Sequence, residues 1–317
     1  VTAIVPHPRA EAPIPVFAGF HRLNGNGEMT GTHWIEDGGY FLGPITITNT
    51  HSVGMAHHAT IRWMLERYRA TYHGRRPRWI MPVTAETFDG ILNDINTLAL
   101  GEADVLAALD TASDGPVAEG NTGGGTAMIA YGFKGGTGSA SRRLVIGGRS
   151  YMVGVLVQAN HGQRDWLTIC GVPVGRHLAE EARGGETAER GSIIVIVATD
   201  IPMAPHQLKR MARRCSLGIG RNGTPGGNSS GDIFLAFSTA NARPLGDPPD
   251  IHRIEMLDDD LFDPVYMAVV DGTEEAVINA MLAAEDMVGT IDGRERVEAV
   301  PTDRILRIMN RHGKPFP

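Results

Sequence analysis

The stretch Thr224-Pro225-Gly226-Gly227-Asn228-Ser229-Ser230-Gly231-Asp232 runs directly into Ile233-Phe234-Leu235-Ala236-Phe237-Ser238, and it constrains the chain more than any other. The first part is glycine-rich loop text; the second is a continuous apolar run of strand length. A loop feeding a buried strand places Ser229 and Ser230 at the strand's mouth. A serine hydroxyl is a weak nucleophile until a base takes its proton. If the chain were cut just before one of these serines, that residue would carry both a hydroxyl and a free α-amine. The amine would then be its own residue's base. Residues 218–231 are therefore the expected internal break, a covalent boundary rather than a domain boundary.

Bulk properties narrow the classes. The chain has 317 residues, 42% of them apolar, enough for a large core. Its 40 glycines cluster at 123–138 and 218–231, which marks turns and close backbone approaches. A formal charge of −7 and no long basic run argue against a nucleic-acid surface. No stretch approaches the roughly 20 apolar residues of a membrane span, and no signal peptide is evident. The expected location is cytoplasmic, with the periplasm as alternative because Val1-Thr2-Ala3-Ile4-Val5 starts without Met and already reads as a strand. Cys170 and Cys215 both lie in apolar-periodic segments and read as small buried residues.

Along the chain, Val16 to Phe20, Gly31 to Ile35 and Gly43 to Thr48 read as strands, separated by Asn24-Gly25-Asn26-Gly27 and Asp37-Gly38-Gly39. Helices are expected over 53–68, 84–98 and 103–112. His51, His57 and His58 flank the first of these, but adjacent histidines on a helix cannot face one ion, so no metal is expected. Glu119-Gly120-Asn121-Thr122-Gly123-Gly124-Gly125-Thr126 lacks the Gly-Lys-Ser/Thr ending of a P-loop and the dinucleotide spacing. Its backbone N–H groups, at Gly124 and Gly125, instead suit a small substrate. Arg143 to Gly147 and Tyr151 to Gln158 pair as strands, and Asn160 at the end of the second is a candidate amide donor to an oxyanion. Ser192 to Ala198 is a β-branched strand buried on both faces, followed by a helix from Pro205 to Leu217. His252 to Leu257 alternates like an edge strand, and Asp258-Asp259-Asp260 lacks EF-hand spacing. A helix is expected over 273–288, with Glu274 in its first turn where the helix dipole favours a carboxylate. Thr302 or Asp303 caps the last one.

Asn228-Ser229-Ser230-Gly231-Asp232-Ile233-Phe234 and Ala236-Phe237-Ser238-Thr239-Ala240-Asn241 resemble the DmpA-type aminopeptidases of peptidase family S58, the L-aminopeptidase D-amidase/D-esterases and β-peptidyl aminopeptidases. Thr48-Asn49-Thr50, Gly132-Phe133-Lys134-Gly135-Gly136, Val153 to Asn160, Ala198-Thr199-Asp200 and Pro205-His206-Gln207-Leu208 extend the resemblance over nearly the whole chain. It implies an α/β fold, a four-layer αββα sandwich shaped like the N-terminal nucleophile hydrolases but connected differently. It also implies a precursor that cuts itself once, at Asn228, Ser229 or Ser230 inside one domain spanning 1–317, into an α segment (1 to 228 or 229) and a β segment (229 or 230 to 317), with αβ units that assemble into a homo-oligomer, and no cofactor. The implied nucleophile is the serine opening the second segment. Ser230, directly before Gly231-Asp232, matches best; a cut after Asn228 would make it Ser229. Tyr131 is implied to hydrogen-bond the tetrahedral intermediate. The family's serine-x-glutamate pair maps to Gly272-Thr273-Glu274, with the glutamate present and Thr273 as the substitute hydroxyl.

The chemistry expected is acyl transfer: self-cleavage, then removal of the N-terminal residue from short peptides, amides or esters. Gly124, Gly125, Gly231, Asp232 and Thr273 are expected to line the substrate or its oxyanion, and Glu274 to orient the α-amine or pair with the substrate's ammonium. Two alternatives stand beside it: an ornithine-acetyltransferase-like acyl transfer, and an unprocessed relative that only binds amines. A Ser-His-Asp hydrolase is disfavoured, because no Gly-x-Ser-x-Gly elbow joins a strand to a helix.

Overall fold

The computed structural model describes all residues except 75–77, 182–190, 246–250, 292, 294 and 315–317. Two sheets face each other. The smaller is built from β1 (Thr2–Ile4), β4 (Ile45–Asn49) and β5 (Val83–Thr87), in the order β1-β4-β5. The larger contains β2 (Pro15–Arg22), β3 (Tyr40–Leu42), β8 (Gly136–Ile146), β9 (Arg149–Asn160), β10 (Ser192–Thr199) and β11 (Ile233–Ser238), in the order β3-β2-β11-β10-β9-β8. Two short ribbons, β6 (Ile129–Ala130) with β7 (Phe133–Lys134) and β12 (Met287–Val288) with β13 (Arg296–Val297), complete the strands described.

Strand alternation makes the layers. On β10, Ile194 and Ile196 point between the sheets, where they meet Ile45, Ile47, Val83, Ala85, Leu235 and Phe237. Ile193, Val195 and Val197 point the other way, into a core covered by helices α6 (Pro205–Arg221) and α7 (Asp263–Leu282), with α5 (Val174–Glu181) and α8 (Thr302–Arg311) beside them. The smaller sheet is covered by α2 (Val53–Arg67), α3 (Arg69–Tyr72) and α4 (Glu102–Asp110), through Ala56, Ala59, Met64, Val105 and Leu109. Helices, sheet, sheet, helices: this is the four-layer αββα arrangement expected.

Five local expectations are corrected. Residues 84–98 are not a helix: Val83–Thr87 is strand β5, and only a single 3-10 turn, Ile95–Thr97, follows. Val83 and Ala85 face the inter-sheet core while Thr84 bonds Thr46 between hydroxyls 3.0 Å apart, so the period is two. Gly31 to Ile35 is not a strand but leads into α1 (Thr32–Gly38), bounded by left-handed Gly31 and Gly39. The helix expected over 273–288 starts ten residues earlier, at Asp263, and stops at Leu282, so Glu274 lies mid-helix, away from the dipole of the first turn. His252 to Leu257 forms no strand, and Cys170 is exposed in a turn at φ 47° rather than buried. The polar loop up to Arg190 lies largely outside the described residues.

Candidate active site

Register brings the sequence candidates to one end of the sandwich. β10 and β11 run parallel, pairing Ile194 with Ile233, so the residues just before both strands are neighbours. β9 is antiparallel to β10 and ends there, with Asn160 opposite Ser192. β2 is antiparallel to β11, which carries the turn Leu23 to Gly27 to the same place.

Ser230 is fully buried, and its hydroxyl donates to Asp232 Oδ1 at 2.5 Å. Its N–H donates to the Gly227 carbonyl at 3.0 Å, closing a tight turn whose two central residues, Asn228 and Ser229, are exposed. The turn from β2 is laid across this one. Asn26 Nδ2 donates to the Ser229 carbonyl at 2.6 Å; Asn24 Nδ2 donates to the Gly227 carbonyl at 2.9 Å and to Asp232 Oδ2 at 3.3 Å. Gly231 N–H donates to Ser192 Oγ at 3.0 Å. A side chain on Gly231 would overlap the Asn26 carbonyl, so only glycine lets the two turns touch. Burial pushes the Asp232 carboxyl above the usual range, opposed by the bonds from Ser230 and Asn24.

A second buried acid reaches the same place from the smaller sheet. Glu86, on β5, accepts the Thr50 hydroxyl and, at 2.9 Å, the Glu28 N–H. A Cβ on Gly27 would lie 3.1 Å from Glu86 Oε1 and 3.5 Å from Gly231 Cα, so one carbon's width of space is shared between this acid and the residue after the serine. Asp89 follows, holding Asn49 and Asn93 on one oxygen while the other has no partner. Burial raises both acids, and no lysine or arginine pairs with either among the described residues.

The remaining candidates have other partners. Asn160 is buried beside Ser192, but its Nδ2 donates to the Phe88 carbonyl at 2.8 Å and its Oδ1 accepts Ile129 N–H at 2.7 Å. It ties the glycine-loop segment to β5. Gly124 N–H donates to Thr2 Oγ1 and Gly125 N–H to the Thr122 carbonyl, so neither is open to an oxyanion here. Tyr131 is fully buried at φ 52°, its ring edge-on to His161 with centroids 5.1 Å apart. Burial holds that imidazole down to about 3, a neutral core group and no proton acceptor at neutral pH. Thr273 and Glu274 stand in the outer helical layer: the Thr273 hydroxyl donates to the Val269 carbonyl at 2.7 Å, and Glu274 pairs with Arg221 at 3.2 Å. The structure brings Ser229, Ser230, Gly231 and Asp232 together, sets Asn160 alongside, and leaves Thr273 and Glu274 with α6.

Sequence reasoning missed Asn24, Asn26, Ser192, Glu86 and Asp89. Asn24-Gly25-Asn26-Gly27 reads as turn punctuation, and nothing local says that both amides face a loop about 200 residues further on. Glu86 shares a face of β5 with Thr84, and a charge in so short a strand reads as solvent-facing text.

Known proteins resemble the chain over nearly its whole length. The model of peptidase family S58 matches residues 1–295. Beta-peptidyl aminopeptidase BapA from Sphingosinicella microcystinivorans is 48% identical, over 98% of this chain and 80% of its own length. BapA from Sphingosinicella xenopeptidilytica is 44% identical, over 93% and 75%. Among solved structures, the L-aminopeptidase D-Ala-esterase/amidase from Ochrobactrum anthropi, described as a prototype for the serine aminopeptidases and a new variant among the Ntn hydrolase fold, matches with TM-score 0.93 and 60% identity, over 99% of this chain and 86% of that one. A Burkholderia sp. beta-aminopeptidase matches with TM-score 0.83 and 41% identity, over 96% and 83%. The chain belongs to peptidase family S58, and it is an aminopeptidase of the N-terminal-nucleophile type.

Proposed function

We propose that the chain is cut once, between Ser229 and Ser230, and that Ser230 then removes N-terminal residues from short peptides, amides and esters through an acyl-enzyme. The observation that carries this choice is the contrast between two adjacent serines: Ser230 is buried with its hydroxyl 2.5 Å from a carboxylate, and Ser229 is exposed. After the cut, the Ser230 amine has an ordinary pKa of about 7.7–8.0, so a useful fraction is neutral near pH 7 and takes the Oγ proton. The Gly231 N–H, now on Ser192, is the nearest backbone donor for the tetrahedral oxyanion.

Selection for a free amino end follows from Glu86, a buried acid with no lysine or arginine paired to it among the described residues, which shares the space at Gly27 with Gly231. A substrate ammonium completes that charge balance, in the role first assigned to Glu274. Preference for β-amino or D-residues, as the names of the relatives indicate for those proteins, extends this reading to the present chain. The αβ units are proposed to assemble further; Ile251, Ile254 and Met256 form an exposed apolar run suited to a contact between copies. An acetyltransferase is not favoured, since the relatives named above are aminopeptidases. Amino-terminal sequencing of the smaller fragment tests the central claim: a first residue of Ser230 supports it, and Ser229 or an uncut active chain overturns it.

A further inference from the structure

The mature enzyme's base is an amine that does not exist before the cut, so the precursor needs a different one. It also needs a donor for the oxyanion that forms on its own scissile carbonyl. We infer that Asp232 and Asn26 are the catalytic residues of self-cleavage, Asp232 as the base for Ser230 Oγ and Asn26 as the oxyanion donor to the Ser229 carbonyl. This rests on Ser230 as the nucleophile.

The geometry gives each group one task. If the broken bond is Ser229–Ser230, the carbonyl that gains negative charge is that of Ser229, and Asn26 Nδ2 stands 2.6 Å from its oxygen. The donor comes from the turn after β2, held against the loop by the close approach of Gly231 and the Asn26 backbone. On the other side of the bond, Ser230 Oγ points at Asp232 Oδ1, whose second oxygen is fixed by Asn24. Burial disfavours the charged carboxylate, which makes it a better proton acceptor than an exposed aspartate.

The steps balance without any co-reactant beyond water. Ser230 Oγ gives its proton to Asp232 and bonds to the Ser229 carbonyl carbon; the negative charge on the oxygen is met by Asn26. The C–N bond then breaks, the leaving nitrogen takes the proton from Asp232, and an ester joins Ser229 to Ser230 Oγ. Water opens the ester: its oxygen bonds to the Ser229 carbonyl carbon, one of its protons goes to Ser230 Oγ, and the acid so formed ionises to a carboxylate, releasing the other proton to solvent. The freed amine becomes the base of the mature enzyme, and Asn26 has no further substrate carbonyl to meet.

The test follows maturation of freshly translated full-length chain by mass spectrometry. Asn26→Asp keeps the shape and removes the donor; it should slow the cut about 10²–10³-fold. Asp232→Asn should slow it about 10²–10⁴-fold. Thr224→Ala removes the hydroxyl that accepts the Gly226 N–H at 3.1 Å, so it loosens the same loop without touching a reacting atom and should stay within a few-fold of the native rate. Hydroxylamine cleaves an accumulated ester, so it should not rescue Asn26→Asp or Asp232→Asn. Melting temperature reports folding; if Asn26→Asp does not fold, Asn26→Ser, which keeps a shorter donor, takes its place and should cut at an intermediate rate. Native-rate maturation of both primary variants, equal slowing by Thr224→Ala, or rescue by hydroxylamine overturns the assignment. If the native fragment starts at Ser230 while these variants mature normally, this inference fails alone. If it starts at Ser229, the nucleophile assignment fails with it.

Discussion

The two glycine-rich stretches, 123–138 and 218–231, look alike as text and behave differently. In the first, Gly124 and Gly125 are packed flat: side chains there would run into Gln158 Oε1 and the Thr137 N–H, and both N–H groups already have partners. Lys134, fully buried, donates to the Met128 and Gly135 carbonyls at 3.0 and 2.9 Å. Gln158 Nε2 donates across to the Thr48 carbonyl of the smaller sheet. This stretch clamps the two sheets together. In the second, glycine brings two turns into contact around a peptide bond whose carbonyl, hydroxyl and neighbouring carboxylate are all engaged. The lesson is that glycine content marks close approach, and only the partner groups say whether the approach holds or reacts.

The sharpest way to break this contrast is at the serine. Ser230→Ala should leave an uncut chain and lower turnover of an amino-acid p-nitroanilide at least ~10⁴-fold. Ser229→Ala should still mature and keep activity within a few-fold. A Ser230→Ala chain that matures and hydrolyses normally would remove the chemistry from the second stretch altogether.

Next in size is the charge beside Gly231. Glu86→Gln removes one charge-assisted bond to a substrate ammonium, worth about 1.5–3 kcal/mol, so kcat/KM for a free-amino p-nitroanilide should fall roughly 10–100-fold. An ester lacking the amine should be turned over almost unchanged. Equal losses on both substrates would make Glu86 a structural acid. The same variant carries a stability signature. Burial raises the folded-state pKa of Glu86, so the folded chain binds the proton more tightly, and stability falls as pH rises from the unfolded value through the folded one. Glu86→Gln should flatten that fall in a comparison of denaturation midpoints.

Much of this architecture was legible. β10 is a continuous β-branched run, β9 and β11 are rich in apolar residues, and α6 opens on Pro205 with an amphipathic stripe, so strands and helix stand out. The serine loop stood out because serines between a glycine loop and a buried strand are an unusual local conjunction. β5 was not: its five residues include Glu86, and a charge reads as solvent-facing until a second sheet and the Thr50 hydroxyl are known to enclose it. Asn26 was not, because its partner is 203 residues away. The start of α7 was missed because Asp263-Pro264 reads as loop, although proline suits a first helical turn. Local periodicity finds elements; buried polar partners come from tertiary contact.

A milder substitution separates the two stretches directly. Gly125→Ala and Gly231→Ala both force a methyl against backbone and should each cost about 1–3 kcal/mol of stability. Their effect on maturation should differ. Gly125→Ala should lower the melting temperature while the chain that folds is still cut at its native rate, whereas Gly231→Ala should displace Asn26 from the Ser229 carbonyl and slow the proposed cut as well. Matched maturation rates at matched stability would show that the turn contact does no chemical work.

The smallest effect tests the clamp. Burial lowers the Lys134 ammonium to about 8 from the usual 10.5, so between those values the unfolded chain holds a proton that the folded chain has released. Stability therefore rises with pH across that window: Lys134 opposes folding most below pH 8 and least above 10.5. From pH 7 to pH 9 the relief amounts to about 1 kcal/mol. Lys134→Met cannot show it. The variant also leaves the Met128 and Gly135 carbonyls without their donor, so it should be the less stable protein throughout, and the gap to the native chain should widen between pH 7 and 9 in urea titrations. A constant gap would mean that the ammonium is not desolvated as its position between buried carbonyls requires, and the first glycine stretch would then be a looser, wetter loop than the second.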